Sequence, residues 1–196
     1  KNAGLLDLIH ENGIEWLNVF AVDNVLQRIA DPCFIGATIT ENRSVGAKVV
    51  CKNHPDEKVG VMCLKDNHPS IVEYYELTPE LRDAVDEDGE PAYNFGVILN
   101  YLFKESELED ICENTLPLHI VEKKIPYIDD AGTLIKPEEP NGYKFETLIL
   151  DMIQMMDTCL PFEVERDKEF APIKNKTGID SVESARALLA KNGVTL

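Results

Sequence analysis

The first residue that could take part in chemistry is an aspartate near the start of the chain. Asp23 follows the apolar segment Trp16–Val22, which is typical of a strand buried in a parallel sheet. Ligands of open α/β sheets gather beyond the carboxyl ends of the strands, and a carboxylate there can bind Mg²⁺ together with substrate phosphates. The alternative is that Asp23 caps a helix-like segment, which we expect to continue to Ala30 and to be broken by Asp31-Pro32.

A second carboxylate closes another apolar strand. Glu73, followed by Tyr74, ends a segment that is otherwise made of apolar residues. A carboxylate in this position can accept hydrogen bonds from two sugar hydroxyls, and leaving it unpaired would be costly, which makes it selective. The alternative is a glutamate at the end of a strand that faces solvent.

Cationic side chains are scarce here, so their positions are informative. The chain has 36 acidic and 19 basic residues and a formal net charge of −17, which disfavours nucleic acid as a partner. Lysines on constrained loops could still neutralise a phosphorylated small molecule and stabilise nucleotidyl transfer. The alternative is a set of surface lysines without a ligand. The candidates are Lys123 and Lys124 before a turn, Lys144 at the N-terminus of a predicted helix, and Lys174 in a loop restricted by Pro172.

Strands dominate the predicted elements in the middle of the chain. Apolar runs bounded by turn residues predict them, and a turn-rich loop between the last two predicts a hairpin. The segments are 46–50, 59–64 and 70–75.

Two helices are predicted closer to the end of the chain. Apolar residues at helical spacing predict one over 145–157. The other is predicted over 182–191, with Asp180 or Ser181 as its N-cap and Gly193 as its stop. Helices that alternate with strands indicate an α/β fold, a three-layer sandwich around a mixed, mostly parallel sheet.

Several kinds of site are excluded by the sequence. The five cysteines and four histidines are scattered without a CxxC pair, which argues against a disulfide framework or a zinc site and favours a reducing cytosol. The sequence has no GxxxxGK[ST] loop, no GxGxxG loop and no Ser/His/Asp arrangement. No apolar run reaches the roughly 18 residues of a membrane span, and no signal peptide opens the chain. We therefore expect a cytoplasmic protein.

Seven short strings, taken in order, resemble those of UDP-N-acetylglucosamine pyrophosphorylases, which are UTP-dependent sugar-1-phosphate uridylyltransferases. The resemblance runs from Asn2 to Arg186, nearly the whole chain. The strings are AVDN (21–24), ADPCFIG (30–36), GAKVV (46–50), VEY (72–74), KKIPY (123–127), KPEEPNGYK (136–144) and EFAPIKN (169–175).

The resemblance implies a reaction and a set of phosphate-binding residues. UTP and N-acetylglucosamine 1-phosphate would give the UDP-sugar and pyrophosphate in the presence of Mg²⁺, without a covalent enzyme intermediate. Asp23 would lie beside the metal and the nucleotide phosphates. Lys144 and Lys174 would bind the phosphates of the two substrates and take part in catalysis. Lys123 and Lys124 match a family string, but we expect a structural role for them before a role in binding.

The resemblance also implies a sugar site, at which this sequence departs from the family. Glu73, Tyr74 and Asn94 would bind the sugar, and Asn2 would lie near the uridine and the sugar. The family pattern Asn-x-Gly-Asn reads Asn94-Phe-Gly-Val97 here, so Val97 removes a polar contact. This substitution leaves UDP-glucose or a broad range of UDP-sugars open as products. A non-catalytic homologue that binds a nucleotide sugar is the alternative of another class.

The resemblance places residues 1–196 in the C-terminal half of a catalytic domain with the nucleotide-diphospho-sugar transferase fold. The glycine-rich nucleotide loop of the family belongs to the N-terminal half, which is absent from this sequence, as is the small C-terminal domain of longer relatives. We therefore expect the N-terminal half of the same protein to be the partner of this chain. We also expect the 196-residue polypeptide alone to be inactive.

Overall fold

A computed structural model describes residues 3–195, which form seven helices and ten strands within that range. In chain order they are α1 (Leu5–Glu11), β1 (Trp16–Phe20), α2 (Pro32–Thr40), β2 (Val45–Cys51), β3 (Val61–Lys65), β4 (His68–Val72), α3 (Pro79–Arg82), β5 (Phe95–Lys104), α4 (Glu105–Ile111), β6 (His119–Lys123), β7 (Tyr127–Ile128), β8 (Leu134–Ile135), β9 (Gly142–Glu146), α5 (Asp151–Gln154), β10 (Cys159–Glu163), α6 (Arg166–Glu169) and α7 (Val182–Lys191).

The central sheet has six strands and is mixed, as predicted. Its order is β10-β2-β5-β3-β4, and β1 also pairs with β5. The expectation that it would be mostly parallel is wrong, because only the β10–β2 ladder is parallel and the other ladders are antiparallel. The apolar run Trp16–Val22 suggested burial on both faces of a strand, but β1 is only half-buried along its length and Val22 is exposed. Burial comes from the covering layers and does not fix the direction of the neighbouring strand.

The predicted three layers are visible in the alternation along β2. Val45, Ala47 and Val49 face a core that also contains residues of α4 and α5. Gly46 points to the opposite side, where a Cβ atom added to it would lie only 2.7 Å from the Phe34 ring of α2. Because successive side chains of a strand alternate between faces, helices cover both faces of the sheet.

The helix predicted over 145–157 is wrong at both ends. Phe145 belongs to β9, where it pairs with Ile120 of β6, and helix α5 comprises only residues 151–154. Leu148 and Met156 do pack in or against the core, as their spacing suggested. The periodicity therefore identified buried residues correctly, but strand pairing with β6 determined the local backbone.

Two other local predictions can be compared with the fold. The residues from 24 to 30 form turns and not a helix, and Asp31-Pro32 begins α2 where a break was expected. Asp31 caps that helix and Pro32 occupies its first turn, a position that proline favours. The predicted β3–β4 hairpin and the last helix, α7 with Ser181 as its N-cap, are confirmed. No helix within residues 3–195 is long and apolar enough to cross a membrane.

Candidate active site

A cavity lies along β5, between the ends of two strands that flank the same side of it. β1 pairs with the C-terminal half of β5 and stops at Phe20, opposite Asn100. β3 pairs with its N-terminal half and begins at Val61, opposite Gly96. Both strands flank the side of β5 that β2 does not occupy. A cavity of about 240 Å³ opens along the interval between them and is partly lined by residues 97–99.

The backbone of β5 is irregular beside this cavity. The register against β2 shifts between Ala47 and Val49, and Leu99 adopts a positive φ of 51°. The left-handed conformation is unfavourable for a residue with a Cβ atom, and such strain is often found at binding sites. The Leu99 carbonyl accepts a hydrogen bond from the Ala21 amide at 3.0 Å, which holds the segment after β1 against the bulge.

Four of the predicted site residues line this cavity. Asp23 lies beyond the carboxyl end of β1, Glu73 and Tyr74 follow β4, and Lys174 approaches from the loop before α7. They come from three separate parts of the chain, and only the tertiary structure brings them to one place.

A buried asparagine joins the Asp23 segment to the Lys174 segment. The side chain of Asn24 donates to the Glu169 carbonyl and accepts from the Ala171 amide, both at 2.8 Å. Between the same two segments, the Ile173 amide donates to the Asp23 carbonyl at 3.0 Å. The Asn24 side chain therefore joins the two segments by hydrogen bonds, as backbone groups join paired strands. It holds the Asp23 segment close to the Lys174 loop.

The Lys174 loop is fixed on its other side by α7. The amides of Lys174 and Asn175 both donate to the Asp180 carbonyl, at 2.7 and 2.8 Å. Ser181 then begins α7 with a capping box, and Ala185 of that helix packs with Leu26 in a small core. Helix packing thus restricts the loop backbone, while the Lys174 side chain stays exposed.

The pKa of the Glu73 carboxyl is raised. Burial is the largest cause, and the negative charge of Glu76 adds to it. The positive charges of His119 and Lys174 act in the opposite direction. The half-buried carboxylate therefore lies in a negative environment that Lys174 partly compensates, and it gains from any ligand that donates hydrogen bonds to it.

Two charged groups in the cavity are unengaged. Neither the Asp23 carboxylate nor the Lys174 ammonium makes a hydrogen bond or an ion pair to another residue in the described range 3–195. Carboxylate oxygens such as those of Asp23 are hard ligands of the kind that Mg²⁺ binds alongside phosphate oxygens. The ammonium is available to a ligand phosphate.

Two other predicted site residues, Lys144 and Asn94, lie outside the cavity. Lys144 is in the middle of β9 rather than at a helix N-terminus, and its ammonium lies 2.5 Å from the Glu146 carboxylate. The Asn94 side chain accepts a hydrogen bond from the Lys52 amide at 2.9 Å and joins the start of β5 to the end of β2. Asn2 falls outside the residues that the structure describes.

Gly60 and Val97 line the cavity and were not predicted as binding residues. A Cβ atom on Gly60 would lie 3.3 Å from the Val97 Cγ2 atom and 3.5 Å from the Glu73 Oε1 atom. The missing side chain therefore lets Val97 and the Glu73 carboxylate pack closely against the Gly60 backbone in the cavity wall. A glycine inside an apolar strand pattern was the available signal, since it often marks a close approach to a ligand or to backbone.

A second group of possible metal ligands lies elsewhere. The His10 Nε2 atom is 2.8 Å from the Glu105 carboxylate and 3.6 Å from that of Glu109. The first distance is an ordinary hydrogen bond between α1 and α4. This group therefore joins the two helices by a hydrogen bond, and a metal is not needed to explain it.

The chain is similar to known proteins over nearly its whole length. The family model described as UTP–glucose-1-phosphate uridylyltransferase matches residues 1–195. The chain is 41% identical to UDP-N-acetylhexosamine pyrophosphorylase-like protein 1 of Mus musculus, over 96% of this chain and 38% of that protein. It is 38% identical to UDP-N-acetylglucosamine pyrophosphorylase of Saccharomyces cerevisiae, over 99% of this chain and 44% of that protein.

A crystal structure assigned to UDP-N-acetylglucosamine pyrophosphorylase of Entamoeba histolytica has the same fold. Its TM-score is 0.87 at 33% identity, over 97% of this chain and 48% of that one. The chain thus spans less than half the length of these relatives, with shares from 38% to 48%. The sequence resemblance is confirmed by the family match, by relatives above 30% identity along nearly the whole chain and by the shared fold. Together they show that the chain belongs to the UTP–glucose-1-phosphate uridylyltransferase family.

Proposed function

We propose that this chain is part of a uridylyltransferase that forms UDP-N-acetylglucosamine and pyrophosphate from UTP and N-acetylglucosamine 1-phosphate. The single observation that carries the proposal is that Asp23, Glu73, Tyr74 and Lys174 line one cavity. Such a transfer requires a carboxylate that can bind a metal, a carboxylate that can bind sugar hydroxyls and an ammonium that can bind phosphate. Asp23, Glu73 and Lys174 supply these groups. The names of the relatives from mouse, yeast and Entamoeba support the same reaction.

In the proposed reaction the protein positions two substrates and compensates charge. An oxygen of the sugar phosphate attacks the α-phosphorus of UTP in line, and pyrophosphate leaves. The Lys174 ammonium stabilises the negative charge that develops on the phosphates. Glu73 accepts hydrogen bonds from sugar hydroxyls and, with Tyr74, orients the sugar for attack.

Asp23 is the residue that we propose for binding Mg²⁺. Its carboxylate is unengaged within residues 3–195 and lies beyond a strand end, beside Lys174, which suits a metal held by one carboxylate and substrate phosphates. The metal would neutralise phosphate charge when bound. The proposed metal would be detected by titrating Mn²⁺ into the intact protein, with Asp23→Asn as the variant that loses binding.

The identity of the sugar is open because of Val97. Its side chain borders the space next to the Glu73 carboxylate, and it cannot form a hydrogen bond. The alternative products are UDP-glucose or several UDP-sugars. Rates of the intact protein with N-acetylglucosamine 1-phosphate and with glucose 1-phosphate separate these possibilities. A Val97→Asn variant shows whether this position sets the ratio.

A non-catalytic nucleotide-sugar-binding protein is the alternative of another class. Lys174→Ala in the intact protein tests it, and Lys176→Ala, an exposed lysine of the same loop outside the cavity, is the matched control. We expect Lys174→Ala to reduce uridylyl transfer roughly 100-fold or more and Lys176→Ala to leave it unchanged. Full turnover by Lys174→Ala would favour the binding function.

The proposed activity requires a second part of the protein to bind the nucleotide, and it requires a cellular compartment in which the reaction takes place. We propose that the N-terminal half of the same protein supplies the glycine-rich nucleotide loop and that the reaction takes place in the cytoplasm. All five cysteines are free thiols, the state that a reducing compartment maintains. Assaying the 196-residue chain beside the intact protein tests the first point, since the chain alone should show no turnover.

A further inference from the structure

A buried cluster of charges lies on the other face of the central sheet from Val45, Ala47 and Val49. The Lys48 side chain has no solvent exposure. Its ammonium lies 2.8 Å from an Asp31 oxygen and 2.5 Å from a Glu169 oxygen, and both carboxylates are buried. Burying three charges is costly unless their geometry is well defined. These residues belong to three of the strings of the sequence analysis, and the proposed reaction assigns a role to none of them.

The charges in this cluster are balanced. Arg28 adds a second cation, 3.5 Å from Glu169. The second oxygen of Asp31 accepts a hydrogen bond from the Cys33 amide at the start of α2. Burial raises the pKa of Asp31, but the hydrogen bond and the charge of Lys48 outweigh burial and the pKa is lowered. The cluster therefore ties β2, the N-terminus of α2 and the end of α6 together through charged hydrogen bonds.

The cluster is connected to the cavity through a short, well-bonded path. Glu169 holds Lys48 with its side chain and accepts from the Asn24 side chain with its carbonyl. Asn24 in turn accepts from the Ala171 amide. Phe170 and Ala171 are buried, so the four residues that separate Glu169 from Lys174 have little freedom to shift.

We propose that Lys48 is a positioning residue that, through Glu169, sets the place of the Lys174 ammonium in the cavity. An apolar group of the same volume could also hold the layers together. Apolar contacts would allow the segment to slide along the sheet, however, whereas an ammonium between two fixed carboxylates defines one register. The kinetic consequence of this inference rests on the proposed function, but its structural consequence does not.

The structural consequence is tested by hydrogen exchange in the intact protein with Glu169→Gln. Glu165→Gln is the matched control, since Glu165 precedes the same short helix and its carboxylate forms an exposed pair with Lys168. In Glu169→Gln we expect at least about tenfold faster exchange at the amides of Ala171, Ile173 and Lys174. Amides of β2 and β5 and the whole control variant should exchange as in the wild type. Unchanged exchange at residues 171–174 would overturn the proposal.

The kinetic consequence is tested by a double-mutant cycle of Glu169→Gln and Lys174→Ala. We expect Glu169→Gln to lower kcat roughly 10- to 100-fold, the scale of a misplacement of about 1 Å, with a smaller change in KM. In the Lys174→Ala background Glu169→Gln should cause no further loss, because it acts through that lysine. Losses that multiply in the double variant would show that Glu169 acts independently of Lys174 and would overturn the proposal.

The two proposals can fail separately. If the intact protein transfers no uridylyl group, the proposed function fails, while the exchange experiment still decides the positioning role. If Glu169→Gln does not fold, Glu169→Asp replaces it, since the shorter side chain keeps the negative charge but withdraws the carboxylate from the Lys48 ammonium. It should increase exchange at residues 171–174 in the same way but less. No change in that variant would contradict the proposal.

Discussion

Charged side chains have different surroundings in the central sheet and in the outer hairpins of this protein. The outer hairpins are the pairs β6–β9 and β7–β8, within residues 119–146. Lys174, on a loop held by the sheet and α7, has an ammonium that lies in a cavity and is unpaired within residues 3–195. Lys144, in β9, is paired with Glu146 on an exposed ladder. Both lysines were predicted to bind phosphate, and within the described residues only Lys174 reaches the cavity.

The difference shows which structural conditions allow a lysine to bind a ligand. The loops around the sheet carry buried hydrogen-bonding groups, such as Asn24, which fix the backbone beneath an exposed side chain. The outer hairpins expose large side chains of their strands, including Tyr143 and Phe145, each 58% exposed. A charge becomes useful where the fold fixes its backbone and leaves the charge itself without a partner. The following four experiments test this contrast, in order of decreasing expected effect.

The largest effect is expected from Lys48→Met, which leaves two buried carboxylates without their cation. The free energy of unfolding should fall by about 3–5 kcal/mol. Lys144→Met removes the exposed pair with Glu146 and should cause no measurable change. Urea unfolding of the intact protein measures both. Equal losses in the two variants would contradict the contrast between the regions.

The next effect concerns activity. Lys174→Ala should lower kcat for uridylyl transfer about 10²- to 10³-fold, because a preorganised cation is lost from the transferring phosphates. Lys144→Ala should cost less than about tenfold, since its ammonium is outside the cavity and already paired. Steady-state rates of the two variants are compared directly. A larger loss in Lys144→Ala would mean that the hairpin closes over the substrates.

Two glycines test packing in the same two regions. In Gly60→Ala the new methyl group would lie 3.0 Å from the Ile71 Cγ2 atom, within the packed cavity wall. We expect a loss of about 1–3 kcal/mol in unfolding free energy and weaker sugar-phosphate binding. In Gly142→Ala the nearest atom is the Ile125 Cδ1 atom at 2.7 Å, the tip of a side chain that can move, and stability should change by less than about 0.5 kcal/mol. Isothermal titration calorimetry and urea unfolding give the two readouts.

The smallest effect is expected in the pH dependence of unfolding free energy, which should have opposite signs for variants of two glutamates. Burial raises the pKa of Glu73 above its ordinary value of 4.5, so ionisation costs the folded state stability as pH rises through that pKa. Glu73→Gln should therefore be more stable than the wild type at pH 7, and the gain should vanish below pH 4.5. The hydrogen bond from Lys144 lowers the pKa of Glu146. Glu146→Gln should accordingly be slightly less stable at pH 7, with the loss vanishing at low pH. Urea unfolding at pH 7 and pH 3 measures both signs, since the lowered pKa of Glu146 is passed only below its ordinary value of 4.5.

Much of the fold could be predicted from local patterns. The strands of the β3–β4 hairpin and the helix that follows Ser181 were identified because alternation, turn residues and capping residues act over a few positions. The fold class followed from the order of the elements. The direction of β1 could not be predicted, since its partner, β5, is some 80 residues away and an apolar run does not encode orientation.

The candidate site was predicted in part. Asp23, Glu73 and Lys174 stand at the ends of elements, where residue type and position suggest ligand binding, and they do line one cavity. Lys144 was misplaced because the apolar spacing after it resembled a helix, while its own backbone pairs with β6. Lys48 gave no signal at all, since a lysine inside an apolar strand indicates a buried partner only once that partner is known.

The sequence by itself determined several strands and the last helix, the covering of the sheet on both faces, the family and the kinds of chemical group available, because each depends on short-range patterns or on strings of residues. Only the tertiary structure decided which groups meet. The cavity arises because β1 and β3 share one side of β5 with an interval between them. The loop of Lys174 is held by Asn24 and, as we propose, by Lys48, which come from distant parts of the chain. Such contacts between remote residues are set by the packing of layers, and no local spacing in the sequence records them.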